Sequence, residues 1–191
     1  IRIKTLVDSG KVKNAVIVGG GLIGLEIAEN LVQRSIKVTV VELLDQILPP
    51  LDRDMALLVQ KHLIAKGVEV ITSDGVKSFE GNGNNTVSKV ITAKRQLQAS
   101  MVILSIGVRP NTKLAQDAGI EIGTTRSIKV NERMETNIPD IYAIGDCAEY
   151  PQGLAAYVTP IMAAARAIAP SVLGNPTDIR FPTLSVQVKT T

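Results

Sequence analysis

Residues 14 to 42 constrain this chain more than any other stretch. They read strand, glycine turn, helix, strand and acid: Asn14-Ala-Val-Ile-Val-Gly-Gly-Gly-Leu-Ile-Gly-Leu-Glu-Ile-Ala, ending in Val38-Thr-Val-Val-Glu42. Gly19, Gly21 and Gly24 stand in the G-x-G-x-x-G spacing. Two short apolar β-branched runs flank the motif, and Glu42 closes the second, which is the context a dinucleotide-binding turn requires. Gly19 allows the tight turn, Gly21 lets the backbone approach a pyrophosphate, and Gly24 lets the helix pack down on the strand. The helix N-terminus presents free N–H groups and a positive dipole end to phosphates. Glu42 can accept from the ribose hydroxyls of an adenosine. The bland reading is a glycine turn with no ligand, and the flanking context argues against it.

Composition excludes several other classes. The chain has 191 residues, enough for one large or two small domains. Its net charge is +3 and its basic residues are scattered, with no aromatic interleaving, so no nucleic-acid partner is expected. No apolar run reaches membrane-spanning length and no signal peptide is visible, so no membrane partner and a cytoplasmic location are expected. The single cysteine, Cys147, rules out an internal disulfide or a paired redox motif and reads as a small packing residue. The single histidine, His62, rules out a His-rich metal site and reads as a packed or half-exposed helix residue. The chain opens on Ile1, not Met, which suggests a fragment of a longer protein or a processed terminus.

Periodicity predicts strands at 14–19 and 37–42 around a helix over 22–35. Asp52 is a good N-cap for a helix of about fifteen residues that stops at Gly67. Val68 to Thr72 reads as a third strand. Two runs, 76–79 and 87–92, joined by Gly81-Asn-Gly-Asn-Asn, signal a hairpin. Met101 to Ser105 is another buried strand. Residues 13 to 112 thus form an α/β unit, β-α-β-α-β with a parallel sheet and an antiparallel hairpin insert. Beyond it, a short helix at 114–118, a strand at 127–130 and a strand at 141–144 ending in Gly145-Asp146 are expected. Thr159 as N-cap with Pro160 at the first helical position opens an Ala-rich helix to about Ala169. Leu184 to Val188 alternates like a last strand.

Several motifs together then name a family. Gly107-Val-Arg-Pro-Asn111 follows an apolar strand, and Thr136-x-x-x-x-Ile141-Tyr-Ala-Ile-Gly-Asp146 follows about thirty residues later. With Gly19 to Glu26, the chain resembles the FAD-dependent pyridine nucleotide-disulfide oxidoreductases. That family includes NADH oxidases, coenzyme A disulfide reductases, nitrite reductase flavin modules and rubredoxin or ferredoxin reductases. Tyr157 to Ala169 with Val186-Gln-Val-Lys-Thr is similar to the rubredoxin reductases, and Val41 to Asp52 to the NADH oxidases. The resemblance implies a Rossmann-like FAD/NAD(P)-binding fold, with an NAD domain inserted in a split FAD domain. On that basis residues 1–12 are a lead-in, 13–112 the NAD(H)-binding domain and 113–191 the second half of the FAD domain. The first half, with its own glycine turn and redox cysteine, has no counterpart here. The one glycine turn fits the NAD domain by its Gly24-Leu-Glu26 continuation, by Leu48-Pro49 after the acid and by the segment preceding it.

The resemblance also implies roles. Gly19, Gly21, Leu22, Ile23 and Gly24 line the NAD pyrophosphate. Glu26 points toward the nicotinamide ribose or carboxamide; an exposed helix acid is the bland alternative. Glu42 holds the adenosine ribose, and the absence of Arg or Lys from 43 to 52 favours NAD over NADP. Gly107 closes over the nicotinamide side, and Arg109-Pro110-Asn111 shapes the crossover between domains. Asp146 accepts from an FAD ribityl hydroxyl, Gly145 lets the flavin chain pass, and the helix at Thr159 aims its positive end at the flavin. The parent would pass hydride from NADH to FAD and electrons on to an acceptor of rubredoxin, oxygen or disulfide type, the chain alone being inactive. The alternatives are a non-enzymatic dinucleotide-binding module and one subunit of a split flavoenzyme. A redox acceptor protein is one expected partner. Self-association through 113–191 is the other, because a bare sheet edge and an apolar helix face seek partners.

Overall fold

The computed structural model describes residues 2–154 and 156–182. They divide into two compact units, the first ending at Gly107 and the second beginning at Val108.

The first unit opens with helix α1 (Arg2–Asp8), where the sequence offered no assignment. Strand β1 (Asn14–Val18), helix α2 (Leu22–Val32), strand β2 (Lys37–Val41), helix α3 (Arg53–Ala65) and strand β3 (Val68–Ile71) follow as expected in kind. Helix α2 ends three residues before the expected stop. Ser35 takes a φ of 60°, and Ser35 and Ile36 donate back to the carbonyls of Val32 and Leu31, which closes the helix and feeds β2. Asp52 sits at the N-cap of α3 but contributes its carbonyl, which accepts from Ala56 N–H at 2.9 Å, rather than a side-chain cap. Strand β7 (Met101–Leu104) completes a parallel sheet in the order β3-β2-β1-β7. Its register sets Val18 beside Val41 and Leu104, so three strands deliver their C-terminal ends to one edge. In open parallel sheets that edge is where ligands bind.

Alternation along β1 explains how both faces are covered. Ala15 and Ile17 pack with Leu25, Ala28 and Leu31 of α2 and Leu63 of α3. Val16 and Val18 face the other way, with Val41, Ile71 and Val90. That second layer is an antiparallel sheet of β4 (Val76–Gly81), β5 (Val87–Thr92) and β6 (Gln96–Gln98). The hairpin was legible; β6 was not. Its sequence, Gln-Leu-Gln, has one apolar residue, and the strand exists because Gln96–Gln98 pairs with Lys89–Ile91.

The second unit holds helix α4 (Lys113–Asp117) and a sheet of β8 (Ile128–Lys129), β9 (Ala148–Tyr150) and β10 (Gly153–Leu154) in the order β10-β9-β8. Helix α5 (Val158–Val172) packs Ala164 and Ala167 on Val130, Met134, Ala143, Ala148 and Tyr150.

Two segments depart from expectation. Residues 141–144 form no strand: Tyr142 makes an isolated antiparallel bridge to Glu135, while Ala143 N–H donates to Met134 and Ile141 accepts from Thr136. The segment is extended, but among the described residues no neighbouring strand lies parallel to it, and a ladder needs a partner. Thr159 is not the N-cap of α5. Tyr157 holds that position and Val158 begins the helix, which puts Pro160 third. A proline is tolerated anywhere in the first turn, since those N–H groups have no intrahelical acceptor, so the Thr-Pro pair marks the turn and not its first residue. The strand expected at 184–188 lies outside the described residues.

Candidate functional site

The sheet edge in the first unit carries a cleft of about 380 Å³, lined by residues from the β1–α2 turn, the end of β2, the β3–β4 loop and the end of β7. Gly19, Gly21 and Glu42 are among its lining residues, joined by Leu43, Asp74, Val76 and Ser105.

The three motif glycines answer to three different constraints. Gly19 has a φ of 106°, and a Cβ there would lie 2.2 Å from the Ser105 carbonyl oxygen. The turn passes against the end of β7 with no room for a side chain. A Cβ at Gly24 would lie 2.3 Å from the Gly19 carbonyl oxygen and 3.3 Å from Ile17 Cγ2, so α2 rests directly on the turn and on β1. Gly21 differs from both. Its φ and ψ of −79° and 175° suit any residue, and a Cβ there would meet nothing within 4 Å. The fold therefore does not require a glycine at this position, which lines the cleft. Gly21 caps α2 without a side-chain bond, so the first-turn N–H groups at Leu22, Ile23 and Gly24 have no capping acceptor from that residue. Ile23 is exposed.

Glu42 is buried at the end of β2 and already has two partners. Its Oε2 accepts from Gly20 N–H at 2.7 Å and its Oε1 from Leu44 N–H at 2.9 Å. The carboxylate therefore ties the glycine turn to the loop after β2. Each oxygen keeps a second lone pair, and both could accept from a ribose diol.

Glu26 lies elsewhere. It is exposed on α2 and, with Ile3, Val7 and Ile27, lines a groove between α1 and α2. Gly107 closes the first unit with a φ of 92°. In the second unit, Gly145 (φ 85°), Asp146 and Cys147 form a single 3-10 turn that packs against α5, on which Thr159 is exposed. Asp146 is exposed too, and Gly145 N–H donates to the Tyr150 hydroxyl at 3.3 Å. Burial pushes the Tyr150 phenol up from its ordinary value, and Phe181 meets its ring edge-on at 4.8 Å. The Cys147 thiol donates to the Ile144 carbonyl at 3.4 Å. Among the described residues, no cluster of three metal-binding side chains occurs and no helix is long and apolar enough to cross a membrane.

Sequence reasoning missed Asp74, Leu43 and Ser105 as cleft residues. Asp74-Gly75 is a turn signal between β3 and β4, but no spacing rule ties a turn there to the glycine motif some fifty residues earlier.

Comparison with known proteins agrees with this architecture. A family model described as pyridine nucleotide-disulphide oxidoreductase matches residues 3–169. The chain is 40% identical over 183 residues to a rubredoxin-NAD(+) reductase of Acinetobacter baylyi, which covers 93% of this chain and 45% of that protein. It is 43% identical over 144 residues to an NADH oxidase of Methanocaldococcus jannaschii, covering 75% of this chain and 32% of the oxidase. The solved FAD-dependent pyridine nucleotide-disulphide oxidoreductase from Desulfovibrio vulgaris superposes with a TM-score of 0.82 at 38% identity, over 92% of this chain and 47% of that one. The chain thus spans less than half the length of each of these proteins. Family members are FAD-dependent NAD(H) oxidoreductases. By the extent of the family match and these identities, the chain belongs to the pyridine nucleotide-disulphide oxidoreductase family.

Proposed function

We propose that this chain is the NAD(H)-binding part of a FAD-dependent NADH oxidoreductase. The observation that carries the reading is the contrast among the glycines: Gly19 and Gly24 are required by the fold, whereas Gly21 leaves unfilled space beside a helix N-terminus at the cleft. The pyrophosphate would rest on the N–H groups at Leu22, Ile23 and Gly24, and the adenosine ribose on Glu42. Bound dinucleotide supplies a hydride equivalent, while the chain's own work is to bind and orient it. The fixed Glu42 oxygens favour a 2′-hydroxyl over a 2′-phosphate, which would meet an acid there.

Residues from 113 onward form the second half of the FAD-binding domain in this reading. Gly145 gives the flavin chain room, since a Cβ there would meet nothing within 4 Å, Asp146 would accept from the ribityl chain, and the Thr159 end of α5 would face the flavin. By the family resemblance Gly107 belongs to the nicotinamide side, and Glu26 is assigned there with it although it lies outside this cleft, on the groove between α1 and α2. Electrons leave to an acceptor of rubredoxin, oxygen or disulfide type, and the relative named a rubredoxin-NAD(+) reductase makes a small redox protein the first to test. A cytoplasmic location belongs to the same proposal.

Calorimetric titration with NADH and NADPH tests the site. Tighter NADH is expected; equal affinity, or tighter NADPH, refutes the Glu42 assignment. The 191-residue chain on its own should carry no flavin through gel filtration, and a persistent flavin spectrum would refute the half-domain reading.

A further inference from the structure

Asp74 is the most confined acid of the cleft. Its side chain is 0% exposed, yet it lines the cleft beside Glu42, Leu43 and Val76. One oxygen is fully engaged: Oδ2 accepts from Thr92 Oγ1 at 2.8 Å and from Arg95 Nε at 3.1 Å. The other, Oδ1, is buried with no hydrogen-bond partner. Buried polar atoms are nearly always paired, and leaving one unpaired is costly, so an orphaned carboxylate oxygen at a ligand cleft calls for a donor. Thr92 is itself pinned, because its Oγ1 accepts from the N–H groups of Lys94 and Arg95. The carboxylate plane is therefore set in advance, and Oδ1, which meets no solvent as the structure stands, can accept from a ligand once a neighbouring side chain turns aside.

The backbone says which part of a dinucleotide lies there. Asp74 N–H donates to the Glu42 carbonyl at 3.1 Å, and Ser73 N–H to the Leu44 carbonyl at 2.7 Å. The β3–β4 loop is thus laced to the segment just past Glu42. With the pyrophosphate at α2 and the ribose at Glu42, the next group outward is the base. Leu43 lies over Gly75, where its Cδ1 would stand 2.9 Å from an added Cβ. Its side chain is 70% exposed and can turn aside to admit a flat ring.

We propose that Asp74 is a base-recognition residue whose free Oδ1 accepts the exocyclic N6 amino group of adenine. The inference rests on the dinucleotide reading above. It adds a determinant for adenine over bases that carry an oxygen at that position. A site built to pair with a donor rejects an analogue lacking it, because its own buried acceptor is then left facing an acceptor.

The probe is reduced nicotinamide hypoxanthine dinucleotide, in which that amino group is a carbonyl oxygen. Titrated calorimetrically against the 191-residue chain, NADH should bind at least about tenfold tighter than the analogue, a difference of about 1.4 kcal/mol. Asp74→Asn offers an amide donor in place of an acceptor, and should shrink the preference to about twofold or reverse it, an effect that loss of packing alone would not produce. Asp74→Ser serves the same purpose should the Asn variant fold poorly. Equal affinity of the wild-type chain for both dinucleotides overturns the inference and leaves the proposed site intact. A preference unchanged in both variants removes Asp74 from the role. Failure to bind either dinucleotide refutes the site itself, and this inference with it.

Discussion

Gly19→Ala and Gly21→Ala should fail in opposite ways, and the structure gives the size of each failure. At Gly19 an alanine must hold a φ of 106° and place its methyl 2.2 Å from the Ser105 carbonyl oxygen. The backbone strain of an L-residue in left-handed space is about 1–2 kcal/mol. Relief of the clash requires the β1–α2 turn or the end of β7 to move, an overpacking cost of about 1–3 kcal/mol. The sum is roughly 2–5 kcal/mol, or a melting temperature lower by about 5–15 °C for a chain of this size. At Gly21 neither cost arises. Its φ is ordinary and the space beside it is empty, so alanine should stabilise the fold by about 0.4–1 kcal/mol through the unfolded state. The same methyl would stand where a pyrophosphate approaches the backbone, and NADH affinity should fall at least about tenfold. Differential scanning calorimetry with NADH titration separates the two effects. A Gly21→Ala chain that melts early, or that binds NADH as the wild type does, refutes the division between fold glycine and ligand glycine.

Two further outcomes concern the second unit. Glu149 is held below the ordinary carboxylate value by the Thr125 hydroxyl first and then by the N–H groups of Thr125 and Thr124. A depressed folded-state pKa contributes stability above the unfolded value of about 4.5, and that contribution is lost as pH falls through the lower folded value. Melting curves from pH 7 to pH 3 should therefore fall more steeply for the wild type than for Glu149→Gln, and parallel profiles would refute the role. The apolar side chains exposed around the start of α5, among them Leu154, Tyr157, Val158 and Met162, favour self-association of this unit. Light scattering at micromolar concentration should show more than a monomer. A strictly monomeric chain with amides 141–169 fully protected from exchange would refute it.

The first unit was legible because its signals are local. A glycine turn, two β-branched runs and a terminal acid are each set by neighbours in sequence, and together they fix β1, α2, β2 and the cleft edge. Asp52 and Gly67 bracketed α3 in the same way. What escaped was set by tertiary partners. Strand β6 has little strand propensity of its own and forms because β5 presents an unpaired edge to it. Asp74 gains its meaning only when Thr92 and Arg95, 18 and 21 residues further on, fold back onto it.

Residues 141–144 show the converse. Ile-Tyr-Ala-Ile has the composition of a central parallel strand, but composition states only what a segment could bury. Whether it becomes a strand depends on backbone groups on both sides, and here its bonds run to residues 134 and 136 instead. Ile141 is left 37% exposed while Ala143 is buried against α5's cluster. The segment therefore keeps an extended backbone with one side of its hydrogen-bonding capacity used antiparallel. Apolar composition states what a segment could bury, and a ladder also requires a neighbour; here only Ala143 of the four is buried and no ladder forms.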